Sequence, residues 1–491
     1  MSGPGGAARR VADPGRPVVL PPILAGIRPH PRWRELWLLV IVGLALFVGS
    51  VSLGATIRAG RLPADAGSLP DLGPVAPIPL AVYLGALLLA HVAQVVTGRR
   101  TDQVLLPAMG LLGGIGLLLM ERLPQSLAGA FGGLGQTQLV WLLIAITIAT
   151  ALGVGVRSDS WLRLYKYSWA AAGIALLVIT FVFGNDVNGQ RLTLSIGPLS
   201  GQPAELLKVI LVVFLAGYLS ENRALLVEQS TRIGRIRLPP LPYLAPMVAM
   251  WAIALSIVVF NRDLGAALLF FAVFLTLLYV ATGRPSYVVL GLALFLAGSA
   301  LIYQLFDHVR LRVDVWLDPF ADRLGAGYQV VQALYAFARG GILGTGLGAG
   351  LPAVGGGQPG GIPAIHTDFP FAALGEELGL IGVLAILGLY LVVVERGLRI
   401  AASAADDFRA LLAAGLALVV GIQAFIIAAG NLKLIPLTGI TLPFISYGGS
   451  SLLANAVVIG LLLALSDRGV EPPPPPRPPG RLARLLDRGA R

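Results

Sequence analysis

Residues 364–382 read AIHTDFPFAALGEELGLIG and place His366, Asp368, Glu376 and Glu377 at the mouth of an apolar run. Asp368 can act as a general base, or it can cap the N-terminus of the helix that follows. His366 is a rival base, because an unperturbed imidazole titrates closer to neutral pH. Glu376 lies roughly 12 Å further along a helix axis at about 1.5 Å per residue. Successive helical residues are rotated by about 100°, so the two glutamates do not both share the face of Asp368. They read as braces within a helix bundle rather than as reacting groups.

Further charges lie in or beside apolar sequence, where each is expensive and therefore a functional candidate. In GQPAELLK, Glu205 and Lys208 stand at i, i+3 and can neutralise each other on one helix face. The alternative is that this pair faces a cavity and touches substrate. In NRDLG, Arg262 and Asp263 are either ordinary turn residues or site groups. Arg191 in NGQR, and Arg310 and Arg312 in RLR, can grip phosphate oxygens. Lys433 precedes LIPLTGITLPFISYGGSS, whose prolines and small polar residues suggest broken backbone lining a cavity.

Composition fixes the class of element that must hold these groups. Hydrophobic residues make up 56% of the 491-residue chain and charged residues 12%, against about 25% charged in soluble domains; the mean hydropathy is +0.81. The apolar residues fall into runs of roughly 17 to 25 residues, the length of a membrane-spanning helix. The runs are continuous rather than alternating, which argues against a transmembrane β-barrel. The chain therefore reads as an all-α polytopic membrane protein with about twelve transmembrane helices. They are expected near 36–55, 79–96, 104–120, 138–156, 167–184, 204–219, 242–260, 264–282, 286–305, 369–394, 410–429 and 447–466.

Twelve spans put both termini on one side. If that side is cytoplasmic, inner segments hold 25 Lys or Arg and outer segments 10, which orients the chain by the positive-inside rule. The same distribution explains the net charge of +11 as topology rather than nucleic-acid binding. The absence of cysteine excludes disulfides, thiolate catalysis and zinc–cysteine sites. Residues 1–34 read as a disordered basic cytoplasmic tail, and 35–100 as two additional N-terminal helices. The main membrane domain is expected over 101–466, and 467–491 form a Pro-rich basic cytoplasmic tail. That tail can lie on anionic membrane lipid. The segment 306–368 is a long outer loop, a length that usually signals function. Within it LGAGYQVVQALYAFARGG predicts a short amphipathic helix, and the glycines that follow suggest a flap or close approach to a ligand.

In this topology Arg191, Asp263, Arg310, Arg312, Asp368 and Lys433 all fall on the outer side. An outer cavity with cations to hold an anion and a carboxylate to move a proton suits a phosphate-bearing amphiphile.

GQPAELLK, DLG, WLDPFADRLGAGYQVVQAL, HTDFPFAALGEELGLIG and LPFISYGGSSLL occur in the order and at the membrane spacing of the SEDS family, the RodA, FtsW and SpoVE proteins. The chain resembles that family over roughly 100–466. The resemblance implies a peptidoglycan glycosyltransferase that polymerises lipid II at the outer face of the bacterial cytoplasmic membrane, for elongation and cell shape or for division. The implied partners are lipid II, the undecaprenyl-pyrophosphate-linked glycan and a class B penicillin-binding protein. On matching motifs, Asp368 takes the place of the family's key aspartate, Asp263 of its second, Glu205 and Lys208 of its paired residues, and Arg191 of its loop arginine. Asp368 would be the general base, with Arg191, Arg310 and Arg312 offsetting pyrophosphate charge and His366 and Lys433 beside the substrate. No cofactor is assigned; a divalent cation is compatible, although no Asp-x-Asp motif is present. Departures include Asn261 and Arg262 before DLG, Ala204 in QPAE, Leu192 after Arg191, and Ala364. The family usually has ten spans, so the first two look like an N-terminal addition familiar in RodA-like members. From another class, a flippase or transporter of lipid-linked precursors is the competing expectation, and a scaffold for a penicillin-binding partner a third.

Overall fold

The structure, a computed structural model, describes residues 29–59, 75–123, 128–187, 190–196, 199–228, 231–233, 236–238, 252, 263–350 and 361–467. Its helices are α1 (Trp33–Ala59), α2 (Pro77–Val96), α3 (Leu105–Glu121), α4 (Leu134–Gly155), the short α5 (Ser160–Leu164), α6 (Lys166–Phe183) and α7 (Pro203–Glu228). They continue with α8 (Leu264–Thr282), α9 (Pro285–Leu305), α10 (Asp307–Leu317), α11 (Tyr328–Gly340), α12 (Pro370–Ala402), α13 (Asp407–Asn431) and α14 (Gly449–Leu465). Among the described residues nine helices are long and apolar enough to cross a membrane, and α3 and α14 are shorter apolar helices. The all-α polytopic class is thus observed. The span expected at 242–260 lies, but for residue 252, outside the described residues, as do nearly all of both tails.

Local sequence explains where the helices begin and stop. Pro77, Pro285 and Pro370 open α2, α9 and α12, positions where a missing N–H costs nothing. Asp263 caps α8 by accepting from the Ala266 N–H at 2.9 Å, and Gly283 ends it with φ of 65°. In the core, α14 lies along α4, while α13 lies against α7, α8 and α12. The two extra helices are fastened to this bundle: α1 packs on α3, and α2 on α4. Arg32, 2% exposed, pairs with Glu35 and donates to the carbonyls of Thr101 and Asp102 at 3.0 Å each. Asp102 in turn accepts from Arg396 Nε of α12 at 2.8 Å.

Two features differ from the sequence expectation. The long segment after α9 carries two helices, α10 as well as the predicted α11. The span expected over 369–394 runs to Ala402 and is broken at Gly379, with φ of 67° and ψ of −169°. The glycine-rich stretch after α11 closes that break. Thr345 N donates to Glu376 O (2.9 Å), Gly346 N to Glu377 O (3.0 Å), and Leu380 N to Gly341 O (2.9 Å). A Cβ on Gly379 would lie 2.3 Å from Gly344 N. The close approach these glycines permit is therefore to the protein's own backbone, which satisfies polar groups that a broken helix would otherwise leave bare in the bilayer. Outside the helices, strands Asn185–Val187, Gln190–Ile196 and Leu199–Gly201 pair antiparallel in the α6–α7 connection.

Candidate active site

The first turns of α7 and α8, helix α10, the approach to α12 and the 432–448 segment meet around a polar cavity of about 300 Å³. It is lined by Glu205, Lys208, Asp263, Arg312, Thr367 and Asp368 among others. A second cavity of about 250 Å³, more apolar, is lined by Leu311, Val315, Trp316, Val330 and Lys433. Arg312, Asp368 and Gly439 line both. Asp368 and Arg312 therefore stand where the two spaces adjoin.

The backbone holding Asp368 is fixed from one side. The carbonyls of His366, Thr367 and Asp368 accept, in turn, from Tyr447 N (2.7 Å), Ser446 Oγ (2.7 Å) and Asn431 Nδ2 (3.0 Å). Ser446 Oγ is itself held by the N–H of Leu442 at 2.8 Å. The N-cap of α12 is Phe369, without a side-chain cap, so Asp368 does not cap the helix. Its side chain instead bonds to Thr367 and feels the Arg312 cation. Burial raises its pKa above the ordinary carboxylate range, and Thr367 and Arg312 offset part of that rise. Asp263 is shifted up for the same reason, with the neighbouring Glu205 adding to the shift and Arg312 opposing it. Burial lowers the Arg312 pKa while Asp263 and Asp368 raise it. The charge of one guanidinium is thus felt by two carboxylates, and its Nη1 has no hydrogen-bond partner among the described residues.

Glu205 and Lys208 form their ion pair at 2.7 Å, with Lys208 only 1% exposed. Lys208 Nζ also donates to Gln423 Oε1 (2.7 Å) and Asn455 Oδ1 (3.1 Å), so its three protons are all placed. Glu205 Oε1 accepts from Thr441 Oγ1 at 3.0 Å. The pair is structural and lines the cavity at once. Lys433 donates to Leu317 O (3.2 Å) and its carbonyl accepts from Trp316 Nε1 (3.0 Å), which ties α10 to the 432–448 segment. His366 packs edge-on to Tyr447 at 5.9 Å, lines neither cavity, and has its pKa lowered by burial. Arg310 is 47% exposed, lies 3.7 Å from Asp307 and also lines neither. Arg191 lies in a strand opposite Asp186, and Arg262 falls outside the described residues. Glu376 and Glu377 point elsewhere: Glu376 pairs with Arg339 at 2.7 Å and Glu377 with Arg122.

Sequence reasoning missed Thr367, Gln423, Asn431, Thr441 and Asn455. Gln423 and Asn455 had a signal, since each is an amide inside an otherwise apolar span. Asn431 sits at a span end, where an asparagine reads as an ordinary turn residue.

The family described as Cell cycle protein (FtsW, RodA, SpoVE) matches residues 103–469, three-quarters of the chain and all the cavity-lining residues. The chain belongs to this FtsW/RodA/SpoVE family. It is 42% identical over 383 residues to the peptidoglycan glycosyltransferase RodA of Mycobacterium tuberculosis, covering 77% of this chain and 80% of that protein. It is 36% identical over 372 residues to the probable peptidoglycan glycosyltransferase FtsW of Nitrosococcus halophilus, covering 74% and 91%. Among solved structures it resembles a chain from a peptidoglycan synthase complex that coordinates polymerization and crosslinking, with TM-score 0.60, 27% identity, and 75% and 98% coverage. Thermus thermophilus RodA shares the fold at TM-score 0.51 and 24% identity, with 75% and 97% coverage. Helices α1 and α2 precede the stretch that the FtsW/RodA/SpoVE family matches.

Proposed function

We propose that this chain is a peptidoglycan glycosyltransferase that polymerises lipid II outside the cytoplasmic membrane, with Asp368 as its general base. The observation that carries this reading is Asp368 beside Arg312 at the junction of a polar and an apolar cavity. The acceptor sugar hydroxyl of lipid II gives its proton to the Asp368 carboxylate as its oxygen bonds to the anomeric carbon of the growing chain. The bond from that carbon to undecaprenyl pyrophosphate breaks, and the pyrophosphate leaves with the electron pair. A desolvated carboxylate with a raised pKa is the stronger base for this step. Arg312, which lines both cavities, offsets the developing pyrophosphate charge. Lys433, lining the more apolar cavity, adds a second cation, and Arg191 and Arg310 supply outlying positive charge.

We assign no divalent cation to this site. Among the described residues no three His, Cys, Asp or Glu side chains group as metal ligands, and the Arg312 cation acts on both Asp263 and Asp368. No step is routed through a divalent cation.

The basic asymmetry of the loops supports a topology with both termini in the cytoplasm and the cavities on the opposite side. The RodA relative at 42% identity exceeds the FtsW relative at 36%, which favours elongation and cell shape over division. A class B penicillin-binding protein is the partner proposed for cross-linking. Purified protein given lipid II tests the activity: glycan strands are expected, and lipid translocation without strand formation refutes it. Depletion in cells tests the branch, with rounding expected and filamentation contradicting it.

A further inference from the structure

Helix α12 begins in an unusual way for a helix that presents a reactive group. Its N-cap residue, Phe369, has no side-chain acceptor, and Pro370 follows at the first helical position. The first-turn N–H groups of a helix need acceptors from elsewhere. Asn431, fully buried at the end of α13, supplies one: its Oδ1 accepts from Ala372 N at 3.2 Å. The same carboxamide turns its Nδ2 to the carbonyl of Asp368 at 3.0 Å. A single side chain from another helix thus caps α12 and grips the backbone of the residue two before it. Asn431 lines neither cavity.

We propose that Asn431 is a positioning residue that caps α12 in trans and thereby leaves the Asp368 carboxylate unspent and correctly placed for proton transfer. The inference rests on the reading of Asp368 as the base. An aspartate just before a helix is ordinarily drawn into capping, which would bind its oxygens to backbone N–H groups. Here the cap comes from α13, and the carboxylate faces Arg312 from α10, with Asp263 at the start of α8 and Glu205 on α7 across the same cavity. Lys433 lies two residues beyond Asn431, and His366 two residues before Asp368.

The test compares the full chain with Asn431→Ala, Asn431→Asp and Asp368→Asn in lipid II polymerisation across pH, with thermal unfolding recorded at each pH. Asn431→Ala is expected to lower kcat by about 10²-fold, the scale for a reacting group displaced by about 1 Å, with KM unchanged. Asn431→Asp distinguishes positioning from folding. When protonated, the carboxyl introduced by this substitution reproduces both hydrogen bonds of the carboxamide, whereas its ionised form loses the donor to the Asp368 carbonyl. The pH–rate profile of this variant is therefore expected to turn from a rise and plateau into a bell, while the protein stays folded across the window. A wild-type profile for Asn431→Asp, or kcat losses that track the loss of folded protein, overturns the proposal. If Asp368→Asn is inactive while both Asn431 variants match wild type, this inference alone fails. If Asp368→Asn keeps wild-type turnover, the base assignment falls and this inference with it.

Discussion

Replacing Lys208 by Met keeps most of the length of the side chain and removes its charge and all three donors. Lys208 is 1% exposed and bonds at once to Glu205, Gln423 and Asn455, on three different helices. Breaking a buried pair by deleting one partner costs about 3–5 kcal/mol, because the other charge stays buried. Each neutral acceptor left bare adds about 1–3 kcal/mol before relaxation. The amides of Gln423 and Asn455 can reorient, and Glu205 keeps its bond from Thr441, so the expected total is about 4–6 kcal/mol. Tryptophan-fluorescence unfolding in detergent micelles measures it, with a Tm loss of at least several degrees expected. Glu205→Gln combined with Lys208→Met removes the orphaned charge and is expected to recover about 1–3 kcal/mol as coupling. A Lys208→Met protein within about 1 kcal/mol of wild type, or a cycle without coupling, refutes the view that Lys208 is consumed by structure.

Three other outcomes follow from the same geometry. The polymerisation rate is expected to fall on the acid side with an apparent pKa above the ordinary aspartate value of about 3.9, and Arg312→Gln is expected to move that limb higher still; a limb at the ordinary value contradicts the burial of Asp368. Because the folded pKa of Asp368 is raised, the folded state holds the proton more tightly. This contribution to stability is full below the unfolded value and is lost as pH rises through the folded one. Asp368→Asn is accordingly expected to raise Tm at neutral pH, with the gain vanishing in acid; an unchanged or lower Tm at neutral pH counts against it. Gly379→Ala forces a side chain into positive φ with Gly344 N only 2.3 Å away, a loss of at least about 1–3 kcal/mol; a thermal shift assay showing no loss would mean α12 is not broken there.

The spans were legible because uninterrupted apolar sequence of bilayer length has few other uses. The candidate site residues were legible for the complementary reason, since Glu205, Lys208, Asp263 and Asp368 interrupt or border such sequence at a cost. Charge spacing alone found the Glu205–Lys208 pair, but not Gln423, Asn455 and Thr441, which complete it from segments far away in sequence. Helix α10 was hidden because DHVRLRVDVWL alternates charged and apolar residues without a clean helical period. The break at Gly379 was hidden because glycine is common in membrane helices, and only the pairing with 341–346 shows what this one does. Asp368 remained ambiguous between cap and base until Asn431, 63 residues away, proved to be the cap.

The proposed chemistry depends on the Asp368 carboxylate. The most direct test is the rate at which purified full-length Asp368→Asn polymerises lipid II, measured beside wild type under conditions where both are folded. The mechanism predicts a loss of at least about 10²-fold with the lipid still bound. Strand formation at the wild-type rate would contradict it.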